Sequence, residues 1–434
     1  MSFLSFIQNS SVKYATLSMQ KSLYNELNID ILTNDFQKIP NPDKKYMLYA
    51  HIPFCHTFCP YCSFHKYAYD EEAAKKYFAS LRLEMTAMKD AGYDFGSMYV
   101  GGGTTLINED ELIKTLEYAK NLFNIKDISA ETDPNHIAAE NLTRFKGLIN
   151  RLSIGVQSFN DDILKKVARY DKFGSSKELQ EKLSAAIGIL PVTSLDLIFN
   201  FPFQTKELLL NDITIAKSLD PEQITFYPLM KSNLTKDKIA ASLGVSNNDF
   251  EREFYELIRA EFKEYCPNNA WSFSKNSLSL KDEYVSSNHE YVGVGSGAFS
   301  FLDGELVINA FNLDDYSERI NAKASATIAK CKFKYKERLK YLFLTELFDG
   351  KIDVDKFNAA CGANLKTALF KEILLLKLTN AIKINGNFIE LTEFGRYIFV
   401  ILMKEFYIGM DTVRAVFRDE AKLKKSKKLR VMAS

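Results

Sequence analysis

YMLYAHIPFCHTFCPYCSFHKY, residues 46–67, holds three of the chain's six cysteines, Cys55, Cys59 and Cys62, within eight positions. The stretch opens as a β-strand, YMLYAHI at 46–52, and the cysteines begin about where that strand ends. Cys-x3-Cys-x2-Cys places three sulfurs on one compact loop. Iron–sulfur cubanes are held by cysteine thiolates, ordinarily four; three ligands leave one iron open, which suits binding a small molecule. Zinc is the alternative, with His51, His56 or His65 as a fourth ligand, and three unligated thiols are another. Against zinc stands the single hook, since structural zinc sites usually pair two short Cys/His hooks.

The remaining composition narrows the classes. At 434 residues the chain is long enough for two or three domains of ~150 residues each, and it needs no metal merely to fold. A net charge of +1 gives no global argument for nucleic acid or an acidic membrane. The basic run AKLKKSKKLR, 421–430, reads as a solvated end. No apolar run approaches the ~18 residues of a membrane span, and MSFLSFIQNS does not read as a signal peptide. The expected compartment is therefore the cytoplasm, where thiols stay reduced and a cysteine cluster reads as a metal site. Cys266, Cys331 and Cys361 are scattered singly and read as buried structural thiols.

From 46 to about 230, short β-rich runs alternate with amphipathic segments. The expected strands are 46–52, 97–102, 127–133, 151–157, 192–200 and 223–230. Between them lie helices such as DEEAAKKYFASLRLEMTAMKDAG, with Phe78, Leu81, Leu83, Met85 and Met88 near helical spacing and Gly92 as a stop. NEDELIKTLEYAKNLF begins with a capping Asn108 and acids in its first turn. Six β–α units predict a parallel α/β sheet with right-handed crossovers. Six is too few for a closed eight-fold barrel, so an open, partial (β/α)6 barrel is expected. The texture then changes, and the C-terminal part reads as a small helical module whose INGNFIELT forms a hairpin wing, a winged-helix outline. The expected division is 1–45, 46–305 and 306–434. In β/α barrels the chemistry sits on loops at the C-terminal strand ends, which is where the cysteines fall.

CHTFCPYC, with Tyr61 just before its last cysteine, resembles the signature of the radical S-adenosylmethionine (SAM) superfamily. The preceding YAHIPFC narrows the resemblance to the family of oxygen-independent coproporphyrinogen III oxidase and its relatives, the radical-SAM heme chaperones and anaerobic heme-degrading enzymes. It runs from about 46 to 305, more faintly through the C-terminal module. It implies a [4Fe–4S] cluster on Cys55, Cys59 and Cys62, with SAM chelated at the open iron and cleaved by one electron to a 5′-deoxyadenosyl radical. It also implies a tetrapyrrole or heme as the small-molecule partner and a flavodoxin- or ferredoxin-like electron donor, with no nucleic acid.

Polar groups at the other strand ends fit such a cofactor. Gly101, Gly102 and Gly103 let backbone approach a ligand without Cβ atoms, and Thr104 adds a hydroxyl. Glu131 in AETDPN and Gln157 in SIGVQSF are odd for a barrel interior unless each meets a polar partner. Asp196, flanked by apolar residues in TSLDLIFNFPFQT, should accept hydrogen bonds, such as those of a ribose diol. The resemblance gives Glu131 and Gln157 places in the cofactor pocket, and it matches Arg169 in VARYDKF to an arginine facing the SAM carboxylate. Tyr49, Tyr61, Met230 and Phe299 complete the expected cofactor set, with core packing as their other reading.

The chain also departs from its family. Decarboxylating oxidases carry a further cysteine two residues past the third ligand, where this chain has Phe64. The heme chaperones usually read CDF there and carry a Tyr-Trp stretch late in the barrel; here the corresponding SSNHEYVGVG has His289 but no Trp. An oxidase would remove hydrogen from a propionate β-carbon and release carbon dioxide; a chaperone would bind heme, with His289 and Cys266 as candidate axial ligands. The expected function is the radical enzyme, with the chaperone as its alternative and a zinc-stapled binding protein as a third. The C-terminal module is expected to cover the open side of the cavity rather than to bind DNA.

Overall fold

Runs that are apolar on both faces, each joined to the next by a crossover of a dozen or more residues, pair in parallel. The computed structural model describes residues 3–245, 249–276, 289–419 and 428–430. Six such strands lie side by side in chain order: β1 (Tyr46–Ile52), β2 (Phe95–Gly102), β3 (Asp127–Thr132), β4 (Arg151–Gln157), β5 (Val192–Phe199) and β6 (Gln223–Pro228). Every neighbouring pair among them is parallel. These are the six expected strands, in an open sheet that does not close on itself.

The crossover helices follow their local signals. Asp70 caps Glu71–Asp90 by accepting from the Ala73 N–H, and Asn108 caps Glu109–Phe123 through the Glu111 N–H. Phe78, Leu81 and Met85 are buried against the sheet, each worth roughly 2–3 kcal/mol. Leu83 is 50% exposed and does not belong to that face. Gly92 ends the first helix at φ +91°, a conformation that favours glycine.

The sheet extends past both expected boundaries to fourteen strands among the described residues. Tyr291–Val294 pairs parallel with β1, followed by antiparallel Phe299–Leu302, Glu305–Asn309 and Thr327–Lys332. Asn28–Ile31, from the N-terminal segment, joins this edge against Thr327–Lys332. On the far side Ser272–Ser274 lies antiparallel to β6. The C-terminal part holds helices and a small sheet of Lys351–Asp353, Phe388–Leu391 and Ile382–Asn385, the last two forming the expected hairpin. It closes with the 26-residue helix Glu393–Arg418. The N-terminal helix Phe3–Glu26 packs on that helix, with the Gln20 amide donating to Glu405 at 2.9 Å and Leu23 against Gly409. Trp271, fully buried, joins barrel to module through Tyr227, Phe348 and Tyr407. Of the basic run 421–430, residues 421–427 lie outside the described residues. Among the described residues, no helix is long and apolar enough to cross a membrane.

Candidate functional site

β1 delivers the cysteine loop. After Ile52 the chain runs through Phe54–Cys55, which pairs with Tyr67–Ala68 and closes the loop at its base. Within it the Cys62 N–H donates to the Cys59 carbonyl at 3.2 Å, and the Lys66 ammonium donates to the Cys62 carbonyl at 2.8 Å. All three cysteines are half-buried free thiols. They line a cavity of about 270 Å³ together with the C-terminal ends of all six parallel strands.

Sheet register explains why these ends converge. Side chains alternate across a strand, so residues paired in register share a face. Tyr49 is paired with Tyr99, Glu131 with Ser153, and Gly155 with Asp196, and all six face the cavity. Glu131 accepts from the Tyr99 hydroxyl at 2.7 Å and from the Gly102 N–H at 3.4 Å, and burial raises its pKa. Asp196 accepts from Ser153 and Ser194 at 3.2 and 3.1 Å; burial pushes it up to about 7, against the pull of nearby Arg151. Gln157 ends β4 at φ +75°, a left-handed conformation uncommon outside glycine.

Donors surround the thiols. Arg169, 5% exposed, points Nη1 at Cys59 Sγ (3.6 Å) and at the Tyr61 hydroxyl (3.3 Å), while Nη2 donates to the Gly155 carbonyl. Among the described residues its buried Nε has no partner, nor has the Thr132 hydroxyl. The Thr104 hydroxyl is 3.9 Å from Cys55 Sγ and donates to Asp133 at 2.9 Å; Lys172 pairs with Asp133 at 3.3 Å. Burial raises the Cys55 thiol, and Lys66, Thr104 and Lys172 counter it by favouring the thiolate. A Cβ on Gly103 would stand 3.0 Å from Cys55 Sγ and 2.3 Å from the Phe54 carbonyl oxygen, so only glycine fits beside the loop. Three thiols ringed by donors, with buried polar atoms still unpaired, fit an iron–sulfur cluster and a polar ligand.

The zinc alternative fits less well. His51 Nδ1 is bonded to the Tyr49 hydroxyl at 2.9 Å and Nε2 to the His65 carbonyl at 3.0 Å, which occupies both nitrogens. His65 Nε2 is bonded to Ser296 and the Phe311 carbonyl. Burial lowers the pKa of both rings, His51 to about 4. His56 is exposed and stacks on His136 at 6.2 Å. Among the described residues, no three His, Cys, Asp or Glu side chains gather to hold a single metal ion.

Of the expected cofactor residues, Tyr49, Tyr61, Gly102, Gly103, Thr104, Glu131, Gln157, Arg169, Asp196 and Met230 line this cavity, and Phe299 does not. Phe299 begins an antiparallel strand, where pairing with Ile308 turns it into a core beneath the C-terminal helix, 5% exposed. The candidate heme ligands also lie elsewhere. His289 pairs with Glu346 at 2.9 Å, and Cys266 sits on the strand paired with Ser272–Ser274. Sequence reasoning missed Tyr99, Asp133, Ser153 and Lys172, although two-residue alternation around Glu131's neighbours in the sheet could have flagged Tyr99 and Ser153. It also missed Tyr407, Asp411 and Arg414 of the C-terminal helix, for which no local signal exists.

The sequence pattern of the Radical SAM superfamily matches residues 49–213. Over 293 residues the chain is 31% identical to the heme chaperone HemW of Bacillus subtilis, covering 63% of this chain and 76% of that protein. It is 29% identical over 238 residues to the oxygen-independent coproporphyrinogen III oxidase of Helicobacter pylori, which covers 51% of each. The chain thus spans about half of that oxidase's length. The solved structure of the Escherichia coli coproporphyrinogen III oxidase (HemN) has the same fold, with a TM-score of 0.68 at 20% identity over 84% of this chain and 91% of that one.

Proposed function

We propose, for a chain that belongs to the radical SAM superfamily in the family of the HemW heme chaperones and oxygen-independent coproporphyrinogen III oxidases, a radical SAM enzyme that carries a [4Fe–4S] cluster on Cys55, Cys59 and Cys62 and acts on a tetrapyrrole. The observation that carries the proposal is the meeting of those three thiols with Gly103, Glu131, Arg169 and Asp196 around one cavity. When bound, the cluster and SAM supply a 5′-deoxyadenosyl radical by one-electron cleavage of the sulfonium bond.

The chain's own residues bind and orient. Arg169 would turn its guanidinium, whose Nε has no partner among the described residues, to the cofactor's carboxylate. Gly102 and Gly103, which pack without Cβ atoms against the strand and the cysteine loop, would let the backbone come close to the cofactor, with Thr104 adding a hydroxyl. Glu131, Gln157 and Asp196 accept hydrogen bonds from ammonium and ribose hydroxyls, and Tyr49, Tyr61 and Met230 wall the pocket. The reaction we favour would pass a hydrogen atom from a propionate β-carbon to the 5′-deoxyadenosyl radical, giving 5′-deoxyadenosine; carbon dioxide would leave, one electron would go to an external one-electron acceptor, and a vinyl group would remain. An electron donor of the flavodoxin or ferredoxin kind would reduce the cluster.

A second reading, a heme-binding chaperone without oxidase chemistry, is favoured by Phe64, which stands where decarboxylating oxidases carry a further cysteine, and by the likeness to HemW. One experiment separates the two. Protein reconstituted anaerobically with iron and sulfide is reduced and given SAM with coproporphyrinogen III, and 5′-deoxyadenosine and the tetrapyrrole are followed by mass. Deoxyadenosine with loss of two carboxyl groups establishes the oxidase. Deoxyadenosine with intact porphyrinogen keeps the radical enzyme and discards this substrate. No deoxyadenosine from an intact cluster leaves the chaperone.

A further inference from the structure

One wall of the cavity is not used by the cofactor residues. It is built by the helix Glu393–Arg418, whose Tyr407, Asp411 and Arg414 recur at four- and three-residue spacing and so share a face. Arg414 is 8% exposed and Asp411 2% exposed, and Arg414 Nη1 donates to Asp411 Oδ1 at 2.6 Å. Desolvating two charges offsets most of their attraction, so a buried ion pair is a poor way to stabilise a helix. Its position on a cavity wall points to a ligand instead. The rings of Phe64 and Phe299 stand 5.4 and 5.5 Å from the guanidinium and hold it by cation–π contact.

Two more cations flank this pair. Arg418, one turn on, donates to the carbonyls of Ser63 and Phe64, and Lys66 lines the cavity next to the cysteine loop. The other cavity acids, Glu131, Asp133 and Asp196, belong to the strand ends or the residue just beyond. Arg414 and Lys66 therefore outnumber Asp411 on the cavity wall formed by the C-terminal helix and the loop after Cys62, with aromatic surface beside them.

We propose that Arg414 is a specificity residue, which holds a carboxylate of an amphipathic, carboxylate-bearing substrate, with Asp411 as its counter-ion until that ligand arrives. This rests on the tetrapyrrole reading above for the chemistry of the cavity. The test titrates reconstituted protein, with SAM present, against coproporphyrin III and against its tetramethyl ester, followed by porphyrin absorbance. The two probes share a macrocycle, so their ratio isolates the carboxylates and cancels any general loss of folding. Arg414→Met should weaken binding of the tetra-acid at least tenfold and of the ester less than twofold, and Asp411→Asn should tighten the tetra-acid. Equal binding of acid and ester by the wild type, equal weakening of both by Arg414→Met, or no binding of either overturns the proposal. Deoxyadenosine formation by the reduced, reconstituted wild type with SAM and coproporphyrinogen III is read separately. Its absence would sink the radical reading while the acid-to-ester ratio still decides Arg414.

Discussion

Replacing Gly103 with alanine should dismantle the cysteine loop from beside it. The Gly103 N–H donates to the Ile52 carbonyl and the Thr104 N–H to the Phe54 carbonyl, both at 2.8 Å, which ties this segment to the strand leading into Cys55. An added Cβ would lie 2.3 Å from the Phe54 oxygen, 2.9 Å from its carbonyl carbon and 3.0 Å from Cys55 Sγ. Non-bonded heavy atoms meet best near ~3.5 Å, so backbone on one side must retreat by about 1 Å. That retreat stretches the Thr104–Phe54 bond beyond useful length, a loss of about 1 kcal/mol. Overpacking adds about 1–3 kcal/mol, so the total is roughly 2–4 kcal/mol out of the ~5–15 that hold a typical domain. Gly96→Ala, on the strand that leads to Gly103, is the control: its Cβ would meet only Lys45 side-chain carbons at 3.7 and 3.8 Å, and the change should stay within about 0.5 kcal/mol. Iron and acid-labile sulfide per chain are measured after anaerobic reconstitution, together with the melting of the unreconstituted proteins. Gly103→Ala should melt several degrees lower and retain less than half of the cluster, whereas Gly96→Ala should match the wild type. A Gly103→Ala protein with wild-type melting and full iron would refute the reasoning.

Three further outcomes are expected. Alanine at Cys55, Cys59 or Cys62 should each abolish iron retention, while alanine at Cys266, Cys331 or Cys361 should leave iron content unchanged; iron lost with any of the latter three contradicts the assignment. Arg169→Gln removes a cation whose charge-assisted bonds are worth roughly 1.5–3 kcal/mol each. SAM affinity by calorimetry should fall about 10- to 100-fold, and an unchanged affinity would remove Arg169 from the pocket. Glu84 is buried, accepts from the Gly295 N–H, the Tyr316 hydroxyl and Asn309, and is pushed by burial from an ordinary 4.5 to about 7. A folded pKa above the unfolded one means the native chain binds the extra proton between those values. Glu84's contribution is therefore full below about pH 4.5 and is lost as pH rises through 7, up to roughly 3 kcal/mol. Denaturant melts at pH 5 to 8 should show the wild type losing stability relative to Glu84→Gln; parallel curves would disprove it.

The sequence by itself determined what depends on neighbours a few positions away. Cysteine spacing sets three sulfurs on one loop because eight residues cannot spread them far. Asn108 and the acids after it start a helix because a helix N-terminus leaves its own N–H groups unpaired. Alternating β-rich and amphipathic runs impose the parallel sheet, since only a long crossover lets consecutive strands run the same way. Glu131, Gln157 and Asp196 on β3–β5 were legible because polar side chains in otherwise buried strands must meet a partner, whereas Tyr99 and Ser153 were missed. Tertiary structure alone decided what joins distant segments. Arg418 reaches the carbonyls of Ser63 and Phe64 from more than 350 positions away, Arg414 closes the cavity wall, and Asn28–Ile31 enters the sheet beside Thr327–Lys332. Phe299 illustrates the same limit in the other direction: its aromatic character reads alike in a pocket and in a core, and only the pairing with Ile308 chose the core. Local pattern specifies which face of an element is apolar or polar; which other element that face meets is set by how all of them pack together.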